Sequence, residues 1–347
     1  MKHLSIFIIL CCLASQQLYA QTETKPTINV WYGKKQSFGE LGRAQDWINL
    51  LGNVSRNVDW QEVTYSLNGA AKKPLSLGSD LHRLANKGDF NIDLGWDEVV
   101  EGKNTVVIEA TPQSGKSIKK KVSFEVALGN KWPLPYEVDF TKVKNLQQVV
   151  QVVDGNWELT GRGVKTVEPY YDRVLTLGDT NWTNFEANVL LTINNFTPPE
   201  KGPPTYQVTH FGVALRWRGH APDDLQPYRK WYPLGSQGEF LLKNNLDSCT
   251  WRILFDGGEG APKPKYSSKS NAITLGEKMH IKAQVSTLPN GHTRYRFKQW
   301  MQGKQEPKSW DVEGIEEGSR DFRSGALCLV PHNSDVTIHR VSVIPIE

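Results

Sequence analysis

The chain has little cysteine. Four of its 347 residues are Cys, and two of them, Cys11 and Cys12, fall in an N-terminal stretch with the layout of an export signal. Cys249 and Cys328 remain, too few for a disulfide-stapled scaffold. No Cys-x-x-Cys and no Cys/His group at metal-ligand spacing occurs, which argues against a structural zinc. An excess of one charge is missing too. Lys and Arg number 41 against 37 Asp and Glu, a net of +4, so bulk charge gives no reason to expect a nucleic-acid partner. The 29 Gly and 19 Pro follow no period, which excludes collagen-like and low-complexity chains. Helical patterning is scarce, the one helix-like stretch being Gln45 to Asn53. No Gly-rich phosphate loop opens onto a helix, and no nucleophile elbow is present.

The one long apolar run is Leu4 to Leu13, after Lys2 and His3 and before Leu18-Tyr19-Ala20. A basic start, an apolar stretch and a small-residue site make a secretory signal peptide over residues 1–20. The run is about half of the roughly 20 apolar residues a bilayer span needs. The expectation is an exported protein, periplasmic or extracellular, with no membrane span. In that oxidising setting a Cys249–Cys328 disulfide and two separate buried thiols are both open.

What the chain has in quantity is short alternating strands. Over residues 26–127, Val63, Tyr65 and Leu67 alternate with polar neighbours and run into Asn68-Gly69, a hairpin signal. Val122, Phe124 and Val126 alternate in the same way. About a hundred such residues predict a β-sandwich. Residues 128–135 carry two prolines and break the pattern, which predicts a semi-rigid linker. Over residues 136–347 the strands are longer and more aromatic. Ala187, Val189, Leu191 and Ile193 alternate with polar residues. Phe211, Val213, Leu215 and Trp217 define one face, and His210, Arg216, Arg218 and His220 the other. Period two places the first set in a core and the second on an open sheet surface.

One hairpin allows its register to be derived. Ile281, Ala283 and Val285 are apolar on one strand, as are Tyr295 and Phe297 on the next. A two-residue Asn290-Gly291 turn would pair Val285 with Arg296 and mix the faces. A three-residue Pro289-Asn290-Gly291 loop pairs Gln284 with Arg296 and Val285 with Tyr295. The consequence is a cationic sheet face of Lys282, Arg294, Arg296 and Lys298.

The first module resembles bacterial immunoglobulin-like or fibronectin-type modules, through Tyr65-Ser66-Leu67-Asn68-Gly69 and the closing hairpin. The second resembles the concanavalin A-like, laminin-G-like jelly-roll superfamily. The resemblance rests on Asp139-Phe140, Asp154-Gly155-Asn156-Trp157-Glu158-Leu159, Asn184 to Val189, Phe211 to Trp217 and the strand ending at Val343. It implies an all-β chain: an immunoglobulin-like β-sandwich followed by a jelly roll of two packed sheets, one curved into a groove for glycans. Lectins, glycan hydrolases and polysaccharide lyases share that architecture, which therefore does not decide among them. It also implies, at most, a structural calcium, with Asp223-Asp224, Asp172 or Asp179 as oxygen donors; no other cofactor is expected.

The window from Tyr206 to Tyr232 is the richest in chemistry. Tyr206, Trp231 and Tyr232 offer rings for sugar CH faces, while Arg216 and Arg218 offer forks for a carboxylate or sulfate. Lys282, Arg294 and Arg296 add a second basic surface. A laminarinase-type hydrolase would need Glu-x-Asp-x-x-Glu, but Glu137-Val138-Asp139 ends at Lys142. A lyase needs a base, a neutraliser and an acid. His220 or His210, an Arg, and Tyr228 or Tyr232 supply that inventory. Three functions stay open: a binder of an acidic polysaccharide or oligosaccharide, a polysaccharide lyase, and a structural or adhesive surface protein. Mass spectrometry of the exported protein is expected to give a mature chain beginning at Gln21, and retention of residues 1–20 would overturn the signal assignment.

Overall fold

The computed structural model describes residues 25–33, 35–198, 207–256, 262–317 and 322–347. Strands dominate, as the alternation predicts. In the first module they are β1 (Ile28–Val30), β2 (Lys35–Phe38), β3 (Trp47–Val54), β4 (Trp60–Leu67), β5 (Lys73–Pro74), β6 (Asp89–Gly95), β7 (Gly102–Pro112) and β8 (Ile118–Val126). They form a three-stranded sheet ordered β1-β3-β6 and a five-stranded sheet ordered β2-β8-β7-β4-β5. The sheets enclose one core, built on Ile48, Leu50, Phe90, Ile92, Ile108 and Phe124. Asn68 and Gly69 have φ of 49° and 81°, which Asn-Gly tolerates at small cost, and β4 turns back there onto β5. The helix-like stretch from Gln45 is β3 instead. Ile48 and Leu50 enter the first core while Leu51 enters the second. A strand covered on both sides has no period to separate it from a helix.

The second module contains β9 (Tyr136–Asp139), β10 (Gln151–Asp154), β11 (Trp157–Thr160), β12 (Gly163–Thr166), β13 (Val174–Leu177), β14 (Phe185–Phe196), β15 (His210–Trp217) and β16 (Ser236–Leu241). It continues through β17 (Thr250–Leu254), β18 (Lys265–Tyr266), β19 (Lys278–Thr287), β20 (Thr293–Met301), β21 (Val312–Glu316), β22 (Ala326–His332) and β23 (Ser334–Pro345). One sheet has seven strands, β10-β13-β22-β15-β16-β17-β18; the other has eight, β11-β12-β23-β14-β19-β20-β21, with β9 beside β23. Two large antiparallel sheets packed face to face, with neighbours far apart in sequence, make a jelly-roll sandwich. Ala187, Val189, Leu191 and Ile193 meet Phe211, Val213 and Leu215 in the core between them. The hairpin register also agrees: Gln284 opposes Arg296 and Val285 opposes Tyr295. Cys249 lies in this core and Cys328 in a separate cluster, and both thiols are free.

Alternation breaks at one place in β15. The pairing with β22 shifts between Leu215 and Trp217, and Arg216 takes φ 60°. This is a β-bulge, and one inserted residue reverses every facing beyond it. Trp217, expected beside Phe211, Val213 and Leu215, packs with Ala214, Leu234 and Cys328 instead. Arg216, expected on the open face, is fully buried. Its guanidinium donates to Thr183 O, Asn184 Oδ1, Thr287 Oγ1, Thr293 Oγ1 and Phe322 O at 2.7–3.1 Å.

The polar face of β6 is covered by the other module. Asp89, Asn91 and Asp93 are all buried, where an isolated antiparallel sandwich would leave them in water. Asn91 Nδ2 donates to Val153 O at 2.6 Å, and Gln151 Nε2 donates to Trp47 O at 2.6 Å. Arg83 bridges the seam, with Nε to Asp154 Oδ1 and Nη1 to Asp93 Oδ2, both at 2.6 Å. Burial alone would push the Asp154 carboxyl up, but the Arg83 charge and the His220 ring hold it down at about 2. In the segment expected as a linker, Trp132 is buried and its N–H donates to Asp179 Oδ2 at 2.9 Å. Side-chain hydrogen bonds across this seam tie the first two sheets to the larger pair. Arg83→Met strands two buried carboxylates and is expected to cost about 3–5 kcal/mol. A urea midpoint equal to that of the parent would contradict this.

Candidate functional site

The site grows from strand register. His210 on β15 opposes His332 on β22. Gly212 opposes Glu239 on β16, and Glu239 opposes Arg252 on β17. Period two then puts His332, His210, Gln237, Glu239 and Arg252 on one face of four adjacent strands. That face is turned away from the core between the sheets. Two loops wall it in: Tyr171-Asp172 before β13, and Trp231, Tyr232 and Leu234 before β16. Together these groups line a cavity of about 250 Å³. Gly212 keeps its floor low, since a Cβ there would sit 3.0 Å from Gln237 Nε2 and 3.3 Å from His210 Nδ1.

The polar groups are arranged in two linked sets. In the first, Arg252 Nε donates to Glu239 Oε2 at 2.6 Å and Gln237 Nε2 donates to Oε1 at 3.1 Å. Glu239 is 2% exposed; burial pushes its carboxyl above the usual range, and Arg252 opposes that rise. In the second, His332 Nδ1 donates to Asp172 Oδ1 at 2.8 Å and Trp231 Nε1 to Oδ2 at 3.1 Å. The rings of His210 and His332 stack at 4.6 Å and 9°. His210 Nε2 stands 3.5 Å from Glu239 Oε1, which joins the sets. Burial, followed by the nearby His332 and Arg252, lowers His210 well below the ordinary histidine range. A neutral imidazole therefore sits beside a buried carboxylate.

Four of the residues singled out from sequence line this cavity: His210, Trp231 and Tyr232, and Asp172, which was expected as a calcium donor. Three more belong to the seam between modules. His220 is buried with Nε2 2.9 Å from Asp154 Oδ2, and its carbonyl accepts from Trp47 Nε1 at 2.7 Å. Tyr228 packs its ring on Trp47 at 4.8 Å, and its backbone is held by Arg83 and Asp93. Arg218 pairs with Asp46 at 3.1 Å. With Arg216 inside the fold, the expected surface of His210, Arg216, Arg218 and His220 does not form, because the bulge reverses facing after Leu215. Trp231 stands between the two regions, bonded to Asp172 and packed on the His220 ring at 4.7 Å.

Lys282, Arg294 and Arg296 lie with Lys298 on the outer face of the eight-stranded sheet, as the register requires. Much of that basic charge is paired. Lys282 meets Glu186 at 3.1 Å and Glu306 at 2.8 Å, and Lys298 meets Glu306 at 2.7 Å. Tyr206 lies outside the described residues. The oxygens proposed for calcium are used otherwise. Asp179 accepts from the N–H of Trp132 and Asn181, and Asp223 from those of Leu225 and Arg229. Asp172 faces His332, and Asp224 is exposed. These acids do not gather into the oxygen shell of 6–8 ligands that calcium takes.

Sequence reading missed Tyr171, Gln237, Glu239, Arg252 and His332, and named Asp172 only as an oxygen donor for calcium. A trace existed for Arg252, flanked by the apolar Trp251 and Ile253, but Gly238 hides the alternation of β16. Nothing in the spacing joins Asp172 to His332, 160 positions away.

No family model matches the chain, and no curated protein matches it. Among solved structures, the endo-β-1,4-mannanase from Thermotoga petrophila is similar at 12% identity, over 31% of this chain and 21% of its own, with a TM-score of 0.24. The chain thus spans about a fifth of that protein's length. The Ca2+-bound exoplasmic/lumenal domain of VIP36 is 9% identical over 60% of this chain and 89% of its own, with a TM-score of 0.39. A structure reported for endo-acting O-glycanases, with which members of the human gut microbiota initiate mucin breakdown, is 9% identical over 62% and 100%, with a TM-score of 0.41. Likenesses this distant leave the site to be read from its own residues.

Removing Arg252 leaves Glu239 buried without its counter-charge. Arg252→Met is expected to cost about 3–5 kcal/mol in urea unfolding, and the Arg252→Met/Glu239→Leu double variant to recover a large part of it. Additive losses would show that the two side chains are not coupled.

Proposed function

We propose that this is an exported carbohydrate-binding protein whose cavity receives an acidic sugar unit of a polysaccharide. The observation that carries the reading is the meeting of Trp231, Tyr232 and Arg252 around one cavity. Tyr232 is 41% exposed, free to stack on a sugar CH face as it enters. Arg252 spends donors on Glu239 and on Tyr266, and its remaining N–H groups suit a carboxylate or sulfate. A concave polar cavity of this kind supports ligand capture over an adhesive role, for which a flat apolar patch would be the sign. The first module is proposed as an immunoglobulin-like support. Its Arg83, Asp93 and Trp47 hold the backbone of the loop that ends in Trp231 and Tyr232. Export follows from the signal-like N-terminus, and no helix among the described residues is long and apolar enough to cross a membrane.

A second reading, a polysaccharide lyase, gains from the same cavity, since it holds a base, an arginine and a tyrosine together. Arg252 would neutralise the uronate, and Glu239, standing against Arg252, would take the proton α to it. The bond to the leaving oxygen then breaks, a carbon–carbon double bond forms, and the Tyr232 hydroxyl gives its proton to that oxygen. His210 lies in the cavity as the alternative base.

Gel retardation by alginate, ulvan or pectin-type chains tests binding. Retardation is expected with at least one of them, and it should weaken in Trp231→Ala. Unchanged mobility across the anionic panel would refute the binding proposal. On the same panel, a rise in absorbance from an unsaturated uronate, reduced about 10²–10⁴-fold in Glu239→Gln, would establish the lyase. Retardation without any rise assigns the cavity to binding alone.

A further inference from the structure

The lining of the cavity reaches β17 through Arg252 and Leu254, and only β18 lies beyond it in the seven-stranded sheet. Tyr266 on β18 stands directly opposite Arg252. Residues opposite each other in an antiparallel pair project from the same face, so Tyr266 shares the face that carries Arg252 and Glu239. Its hydroxyl accepts from the Arg252 guanidinium, which also holds Glu239. Tyr266 is nevertheless 57% exposed. A single exposed tyrosine is ordinary on a protein surface, but this one is tied down. Although β18 is two residues long, the next N–H, of Ser267, donates to Trp251 O at 2.9 Å, and Ser267 Oγ donates to Asp311 O at 2.7 Å. A tyrosine held through both its backbone and its hydroxyl is a rigid, amphipathic contact face with little rotamer entropy left to lose on binding. Beside it, the Arg252 side chain is 20% exposed against 3% for Glu239, so the guanidinium is the charge of the pair that an incoming ligand meets.

We infer that Tyr266 forms a second sugar position beside the cavity, so that the protein takes an acidic oligosaccharide of at least two consecutive units rather than a single acidic sugar. The inference rests on the glycan reading of the cavity and extends it. Neighbouring strands lie about 4.8 Å apart, which puts β18 about 10 Å from the strand of Glu239. Tyr266 is thus a neighbour of the cavity without lining it. Arg252 stands between the two positions, and its free N–H groups suit a carboxylate or sulfate from either unit. The ring of Tyr266 then offers its face to the CH face of the outer unit, the role proposed for Tyr232 at the cavity. Because β18 is the last strand of its sheet, a chain leaving the cavity over Arg252 meets no further strand.

The test is calorimetry on the full mature chain with monosaccharide and tetrasaccharide fractions prepared from alginate, ulvan and pectin. The tetrasaccharide of at least one of them is expected to bind about 10-fold more tightly than its monosaccharide. Tyr266→Ala should remove that advantage, weakening the tetrasaccharide about 10-fold and the monosaccharide by less than about twofold. Tyr266→Phe keeps the ring and should keep most of the tetrasaccharide affinity. Equal affinities for the two fractions in the parent chain would overturn the second position, as would parent-like tetrasaccharide binding in Tyr266→Ala. Equal losses for both fractions in Tyr266→Ala and Tyr266→Phe alike would overturn it too, since Tyr266 would then act only by holding Arg252. Each of these results leaves the cavity reading standing. Absence of binding by every fraction overturns the second position, and if mobility in the anionic gels is also unchanged, the cavity reading fails with it.

Discussion

Arg83 placed between Asp93 and Asp154 is the interaction from which the rest of the architecture follows. Three fully buried charges are tolerable only because each is paired and hydrogen-bonded. Asp154 must stay ionised to do this: burial is the largest single influence and raises its carboxyl, but Arg83 and His220 together, by charge and hydrogen bond, hold it low. The pair is made across modules, so neither module can satisfy these groups by itself. The same guanidinium binds Tyr228 O at 2.6 Å, and Asp154 also holds His220. The stretch that leads into one wall of the cavity is thereby anchored on the seam at His220 and Tyr228. The sheet that carries Asp93 and the loop that carries Arg83 thus help to build the site, although none of their described residues lines the cavity.

The second constraint is the bulge at Arg216. Up to Leu215 the strand keeps its pleat, so His210 and Gly212 face the cavity while Phe211 and Val213 face the core. Beyond it the facing reverses, and Trp217 closes the apolar cluster beneath Trp231. Arg216 is used as structural filling, its donors satisfied by carbonyl, amide and hydroxyl oxygens. A positive φ at a non-glycine residue is costly unless its surroundings impose it. Here Gly325 and Gly235 supply the room, since a Cβ at either would press on Arg216 or its neighbour's carbonyl at 2.2–2.5 Å.

In the cavity, electrostatics and packing are matched. A neutral His210, a carboxylate paired with arginine and an indole N–H on Asp172 leave few loose charges beneath an aromatic wall. Two imidazole nitrogens are the exception: His332 Nε2 and His210 Nδ1 are buried without a hydrogen-bond partner. Their isolation is what separates this cluster from the paired charges on the eight-stranded sheet, where Glu186 and Glu306 answer Lys282 and Lys298.

The sequence by itself determined the all-β class and the facing of unbroken strands. It also fixed one hairpin register, because each of these depends on period two and turn chemistry, which are local. His210, Trp231 and Tyr232 were legible for the same reason. Tertiary structure decided the rest. Alternation tells which residues share a face but not whether that face is covered. It therefore could not show that the polar side of β6 is a module seam, or that His220 and Tyr228 belong to it. A bulge leaves no compositional mark, so Arg216 and Trp217 exchanged roles unseen. Asp172, Glu239, Arg252 and His332 come from segments up to 160 positions apart, and only sheet pairing brings their side chains together.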